Sequence, residues 1–313
     1  MTECERIISD GLIPESFLRE EVRNDFLVDV NRKKLWMILL DLLLQVDRVC
    51  KKHNIQYFLD GGTLLGAIRH KGFIPWDDDL DIMMLRPEYE KFLTLKDEFQ
   101  EPYFLQTPYT DPGYYGSFAK LRNSNTTGMS LRFAYQHFNF GITLDIFAYD
   151  NNDDSAESRK RYETLNNLHI QNSTAMKKSN LHLSERDKQR VRELNDADPL
   201  KRYEEIQKLC RTFENQNTKY VSDLMATAYG FDRDLFFKED FSKAIEWEFE
   251  GFKFPVPIGY DRMLKILYGD YMEFPPIEER GKAARHDDVF VDPDNSYKNY
   301  ERFLKFLADY ENS

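Results

Sequence analysis

Cysteine is scarce. Cys4, Cys50 and Cys210 are the only three in 313 residues, an odd number at wide separations. That excludes a disulfide framework and a zinc-ligand pattern, and it sets the expectation of a reducing, cytoplasmic location. Long apolar runs are also lacking. The most apolar stretch, LWMILLDLLLQV from Leu35 to Val46, is too short to cross a bilayer and contains Asp41, so no transmembrane segment is expected. The N-terminal MTECERIISDG is acidic and polar, unlike the basic-then-apolar layout of a signal peptide. Basic residues are outnumbered, 43 Lys and Arg against 55 Asp and Glu, for a net charge of −12. This argues against nucleic acid as a partner, because such proteins present a basic face. Gly (14) and Pro (12) are few, while 41% of residues are hydrophobic, a globular composition with little room for disorder. There is no internal repeat and no low-complexity segment.

What is present reads as an α/β (α+β) chain. The apolar positions Leu35, Ile38, Leu39, Leu42, Val46 and Val49 follow helical spacing, which predicts one long amphipathic helix from about Asn24 to His53. IQYFLD then reads as a strand, Gly61-Gly62 as a turn, TLLGAIRH as a short helix and LDIMML as a buried strand. A helix from about Pro87 to Glu98, the strand YFLQTP, a strand pair within YGSFAKLRNSNTT and the strand GITLDIFAYD follow. From Asn151 the composition turns to Lys, Arg, Glu, Asn and Gln, which predicts a helical insertion. IEWEFEGFKFPVP alternates about Glu250-Gly251, a hairpin signal. DRMLKILYGDY is a helix stopped near Gly269, and YKNYERFLKFLADY a last helix. The expected division is a catalytic core with its N-terminal helix over 1–150, a helical insertion over 151–235, and a hairpin with helices packing back on the core over 236–313.

The chemistry concentrates in DGGTLLGAIRHKGFIPWDDDLDI, from Asp60 to Ile82. On a strand, Asp79 and Asp81 share one face with Leu80 and Ile82 opposite. Carboxylates so placed repel unless a cation lies between them, which points to Mg²⁺ or Mn²⁺. Asp145, polar within the apolar GITLDIF, is the candidate third ligand from a neighbouring strand. Three other readings compete: a solvated acidic loop, which suits Asp77 and Asp78 but not Asp81; an EF-hand, which puts Ile82 where the loop needs Gly; and the short D-x-D of sugar-nucleotide glycosyltransferases. Gly61 and Gly62 at a helix start could hold a diphosphate through backbone N–H groups, or be only a tight connection, with Thr63 as the cap. Arg69, Lys71 and Lys120 are candidate phosphate contacts, each also readable as an ordinary surface charge. Trp76 could stack on a base, cover a quaternary ammonium or pack as a plug. His286 is a candidate phosphate contact or proton carrier.

Strand, Gly-Gly, helix, loop and D-x-D strand resembles the core of the nucleotidyltransferase superfamily. GGTLLGAIRHKGFIPWDDDLDI, FAKLRNSNTT, LDIFAYD and FPVPIGYDRMLKILYGDYM, with the following PP and His286, resemble the LicD family of phosphocholine transferases related to fukutin and fukutin-related protein. The resemblance implies a nucleotidyltransferase-like mixed sheet with flanking helices. It implies transfer of phosphocholine, or a similar phospho-alcohol, from CDP-choline or another CDP-alcohol to a glycan or lipid-linked glycan hydroxyl, as in teichoic acid or lipopolysaccharide precursors. It also implies metal ligation by Asp79, Asp81 and Asp145, and work at the inner face of the plasma membrane. Ribitol or glycerol phosphate transfer and plain nucleotidyl transfer are the enzymatic alternatives. A catalytically silent nucleotide- or metal-binding scaffold is the non-enzymatic one.

Overall fold

The computed structural model describes residues 1–130, 133, 136–176, 199–280 and 289–300, the side chains of 171–176 and 199 excepted. In chain order the elements are α1 (Glu3–Ser9), β1 (Glu21–Arg23), β2 (Phe26–Val28), α2 (Val30–His53), β3 (Phe58–Leu59), α3 (Gly61–His70), β4 (Asp81–Leu85), α4 (Arg86–Leu93), β5 (Tyr103–Gln106), β6 (Ala119–Asn123), β7 (Thr127–Ser130) and β8 (Ile142–Asn152). They continue with α5 (Ala156–Met176), α6 (Pro199–Cys210), β9 (Tyr220–Asp223), β10 (Phe236–Phe237), β11 (Ala244–Phe249), β12 (Phe252–Pro257), α7 (Tyr260–Tyr268) and β13 (Val289–Asp292). The mixed α/β class expected from the sequence is the class observed.

Helix α2 starts later than expected. Asn24 and Asp25, at φ 51° and 60°, form the two-residue turn of the β1–β2 hairpin, where both residues need the left-handed region. Asp29 then caps α2, accepting the Arg32 N–H at 2.8 Å. The helix is also buried nearly all round, from Trp36 to Leu43, rather than along one stripe. Asp41 therefore lies inside, where Arg6 (2.9 Å) and the Tyr103 hydroxyl (2.8 Å) bond its carboxylate.

Seven strands form the central sheet. Its main path runs β10-β9-β8-β4-β3, and β6 pairs with β8 and β5 with β6. β4 and β8 run parallel; the remaining pairs are antiparallel. β8 is long enough to serve β6 with Ile142–Ile146 and β9 with Tyr149–Asn152 along one edge, while β4 takes the other. β9 lies within the stretch read as a helical insertion: Tyr220 to Asp223 return to the sheet beside α5 and α6. Four residues in a Lys- and Asn-rich stretch give too short an alternation to read. The β11–β12 hairpin turns at Glu250 (φ 49°) and Gly251 (φ 81°), as expected, and α7 stops at Gly269 (φ 67°). Of the expected last helix, only a short 3₁₀ turn at Tyr297–Asn299 lies within the described residues.

Arg86 ties the layers together. At the start of α4, it forms a two-pronged pair with Asp150 of β8 at 2.7 and 2.5 Å and donates to Gln207 of α6 at 2.9 Å. Both charges are buried, so removing one strands the other. Arg86→Leu is expected to cost about 3–5 kcal/mol in urea unfolding, and Arg86→Leu with Asp150→Leu to recover a large part of that loss.

Candidate active site

The site starts from how α3 begins. Gly61 and Gly62 are the first residues of the helix rather than a turn before it, and Asp60 is the cap, accepting the Gly61 N–H at 2.8 Å. Thr63 is not the cap. Its hydroxyl accepts the Asp81 N–H at 2.9 Å, locking the first turn of α3 to the first residue of β4. Asp60 is buried, and the Tyr149 hydroxyl donates to it at 2.8 Å. Burial raises its carboxyl to about 6 against the lowering effect of that bond. Gly62 is glycine for a steric reason: a Cβ there would stand 2.9 Å from Asp77 Oδ2.

The aspartates follow on an anchored loop. The Asp77 N–H bonds the Ile74 carbonyl at 2.9 Å, and the Asp77 carbonyl accepts from Arg32 at 2.7 Å and Trp36 at 3.1 Å, both on α2. Asp79 lies just before β4 rather than in it. The alternation still holds, with Leu80 and Ile82 buried on the opposite face and the Leu80 carbonyl accepting the Asp145 N–H at 3.0 Å. Asp77 is itself buried, which corrects its reading as part of a solvated loop. Burial, then the Asp79 charge and a hydrogen bond to Asp79, pushes its carboxyl well up. Asp81 is raised in the same way, by burial and then by Asp79, Asp145, Asp60 and Asp77.

Across the sheet the register sets Asp81 of β4, Asp145 of β8 and Lys120 of β6 side by side. Lys120 Nζ lies 2.6 Å from both Asp145 oxygens, and Thr143 Oγ1 donates to Asp145 at 3.2 Å. Burial lowers the Lys120 pKa, opposed by Asp145. Among the described residues, no group of three His, Cys, Asp or Glu side chains stands in metal-binding geometry, because Asp145 is turned to Lys120. The donor set nonetheless suits a hard divalent cation: the oxygens of Asp77, Asp79 and Asp81 crowd one cavity, and their mutual repulsion is what a cation would relieve.

Two cavities meet at Asp79. The larger, about 690 Å³, lies over the start of α3 and is lined by Gly62, Arg69, Asp77, Asp81, Tyr229 and Tyr268 among others. The smaller, about 470 Å³, lies over Lys120 and Asp145 and is walled by aromatic side chains.

Residues 54–184 match the family model described as "LicD/FKTN/FKRP, nucleotidyltransferase domain". The chain is 31% identical over 251 residues to the lipopolysaccharide cholinephosphotransferase LicD of Haemophilus influenzae, spanning 78% of this chain and 92% of that protein. The chain belongs to the LicD family. Shorter likenesses, 38% over 72 and 63 residues, link it to uncharacterized proteins of Rickettsia typhi and Rickettsia prowazekii, covering 23% and 24% of those proteins and 23% and 20% of this chain.

In this LicD-family chain, Gly62, Asp79, Asp81, Asp145 and Lys120 gather around the junction of the cavities. Gly61 adjoins them, but its N–H already bonds Asp60. Arg69 lines the larger cavity and donates to the carbonyls of Tyr271 and Glu273 at 2.8 and 3.0 Å. Lys71 is elsewhere: its side chain is 71% exposed and faces Glu248 at 3.5 Å. Trp76 is largely buried against Phe26 and His70, and the Arg280 guanidinium lies 5.2 Å from its ring centre. His286 lies outside the described residues. Tyr229 and Tyr268 went unnoticed as site residues. Their hydroxyls are 3.1 Å apart and each is 3.9 Å from the position of a Cβ on Gly61, which is 3.7 Å from Asp81 Oδ2. The YGDY segment was the signal available for Tyr268; nothing marked Tyr229. No helix among the described residues is long and apolar enough to cross a membrane.

Thr63→Val keeps shape but leaves the Asp81 N–H without its acceptor. It is expected to cost about 1–3 kcal/mol in urea unfolding, whereas Thr63→Ser is expected to retain most of the stability.

Proposed function

We propose that this chain transfers phosphocholine from CDP-choline to a hydroxyl of a cell-surface glycan, such as a lipopolysaccharide or teichoic acid precursor, with Mg²⁺ (or Mn²⁺) at the aspartate cluster. The observation that carries this reading is the row Asp81–Asp145–Lys120 beside Asp79, at the start of α3, in a chain 31% identical to a lipopolysaccharide cholinephosphotransferase along 92% of that protein.

Asp79 and Asp81 would hold the ion, which when bound supplies positive charge to the donor diphosphate and to the leaving nucleotide. Asp145 would join them by giving up part of its pair with Lys120. In that exchange Lys120, on a buried strand and short of water, becomes a cation available to a phosphate oxygen. Asp145, beside Asp81 in the sheet, is then suited to orient an acceptor hydroxyl and take its proton. Gly62 leaves room for the Asp77 carboxylate, which keeps the loop packed on α3. Tyr229 and Tyr268 present hydroxyls beside Asp81, suited to donate to phosphate oxygens.

The test is turnover with CDP-choline, CDP-ribitol, CDP-glycerol and CTP, each with and without Mg²⁺. CMP release from CDP-choline in the presence of a glycan acceptor is expected. Asp81→Asn is expected to lower turnover by on the order of 10²–10³ while leaving the fold intact by circular dichroism. Reaction of CTP alone, with pyrophosphate released, would overturn the donor assignment.

A further inference from the structure

The two cavities differ in what their aromatic rings already hold. In the larger one three ring faces are taken by arginines: Arg280 lies 5.2 Å from the centre of Trp76, Arg69 5.1 Å from that of Phe274, and Arg233 5.3 Å from that of Tyr229. Tyr268 and Tyr271 also line it, with no cation over either among the described residues, and Asp77, Asp79, Asp81, Asp270, Glu273 and Glu279 face its one lining arginine, Arg69, an acidic surface suited to a metal-bound diphosphate. In the smaller one, Tyr114, Phe138 and Phe140 line the space, and among the described residues no cationic group lies over any of the three. Tyr114 meets Phe138 edge to face at 5.8 Å, and Phe138 meets Phe140 at 4.2 Å, so the rings form one continuous wall.

Carboxylates line the same cavity. Asp78, Asp79 and Asp145 line the cavity against Lys120 and Arg122, three carboxylates to two cations. Both cations are committed, Lys120 to Asp145 and Arg122 to Gln106 and the Gly141 carbonyl. The same cavity already stabilises one ammonium over a ring: Lys120 Nζ lies 4.8 Å from the centre of Phe118. Aromatic faces, lining carboxylates and a depth reaching Leu35 and Leu39 of α2 favour a compact cation that forms no hydrogen bonds.

We infer that the smaller cavity is the subsite for the donor's trimethylammonium group, held by the faces of Tyr114, Phe138 and Phe140 with Asp79 and Asp145 lining the same space. This rests on the reading of the chain as a phosphocholine transferase and adds where the choline is recognised. The nucleotide then occupies the larger cavity, and the phosphorus lies at the Asp79 junction. Selectivity for choline over a primary ammonium follows from the ring wall: its one polar side-chain group among the described residues, the Tyr114 hydroxyl, already donates to the Phe118 carbonyl at 3.0 Å.

The experiment is calorimetric titration of the full chain, in Mg²⁺, with phosphocholine, phosphoethanolamine, tetramethylammonium and CMP. Phosphocholine is expected to bind about tenfold more tightly than phosphoethanolamine, and tetramethylammonium to compete with it. Phe138→Leu is expected to weaken phosphocholine by about tenfold and to leave CMP within about twofold, while Phe274→Leu, in the larger cavity, leaves phosphocholine within about twofold. The reverse pattern, with Phe274→Leu weakening phosphocholine and Phe138→Leu not, overturns the assignment, as does equal affinity for the two phospho-alcohols. Should Phe138→Leu not fold, intermolecular NOEs from the trimethylammonium protons decide on the wild-type chain. NOEs to phenylalanine rings without any to tryptophan support the subsite; NOEs to indole protons, or none at saturating ligand, overturn it. CMP release from CDP-choline, followed in the same preparation, separates the two levels. Release without this recognition removes the subsite and keeps the phosphocholine transfer reading.

Discussion

Asp81 and Asp145 are neighbours across the parallel strands β4 and β8, with Asp79 and Asp77 leading into the same space and Asp60 below them. Like charges held this close under burial cannot all stay ionised without compensation, and the surrounding structure shows what compensation costs. Lys120 is committed to Asp145. Tyr149 is committed to Asp60. Thr63 bonds the backbone of Asp81, and Arg32 and Trp36 fix the backbone of Asp77. Helix α2, buried nearly all round, is the base against which this cluster is braced.

The same crowding explains the division of the site. Asp79 lines both cavities, so a ligand in either one meets its carboxylate. In-line transfer at phosphorus wants the entering and leaving groups on opposite sides of the reacting atom. The larger cavity, with six carboxylates and arginines over three of its rings, and the smaller, with the open rings of Tyr114, Phe138 and Phe140, are chemically unlike in the way two different parts of a substrate require. The α5–α6 region takes part in this arrangement. His169 of α5 bonds Ser117 at 3.0 Å and lines the smaller cavity, and Gln207 of α6 bonds the Ser117 carbonyl at 2.9 Å.

Much of this was legible in the residues. The D-x-D alternation survives although Asp79 precedes the strand, because Leu80 and Ile82 need the buried face. Asp145 stood out as a lone charge in an apolar strand, and Glu250-Gly251 as a turn. The β1–β2 hairpin was missed because Asn24-Asp25 is a weaker turn signal than Asn-Gly, and Gly61 was read as a turn when Asp60 had already capped the helix. The burial of Asp41 was not legible, since a pairing with Arg6 and Tyr103 from distant elements leaves no mark in local periodicity. Tyr229 illustrates the limit: its place beside Asp81 depends on the return of the chain after α6, which no spacing encodes. Lys120 was a candidate phosphate contact, but the sequence could not show that Asp145 sits opposite it.

The central claim is that the carboxylate cluster is built to be neutralised by a divalent cation. Its most direct test is calorimetric titration of Mg²⁺ in buffers of different ionisation enthalpy between pH 6 and 8. Burial and mutual repulsion hold the Asp77 and Asp81 carboxyls above their ordinary range, so Mg²⁺ binding is expected to displace protons from them. The account predicts proton release on binding, an affinity that rises with pH, and loss of both in Asp81→Asn. Absence of Mg²⁺ binding, or binding without proton release that Asp81→Asn leaves unchanged, would contradict it.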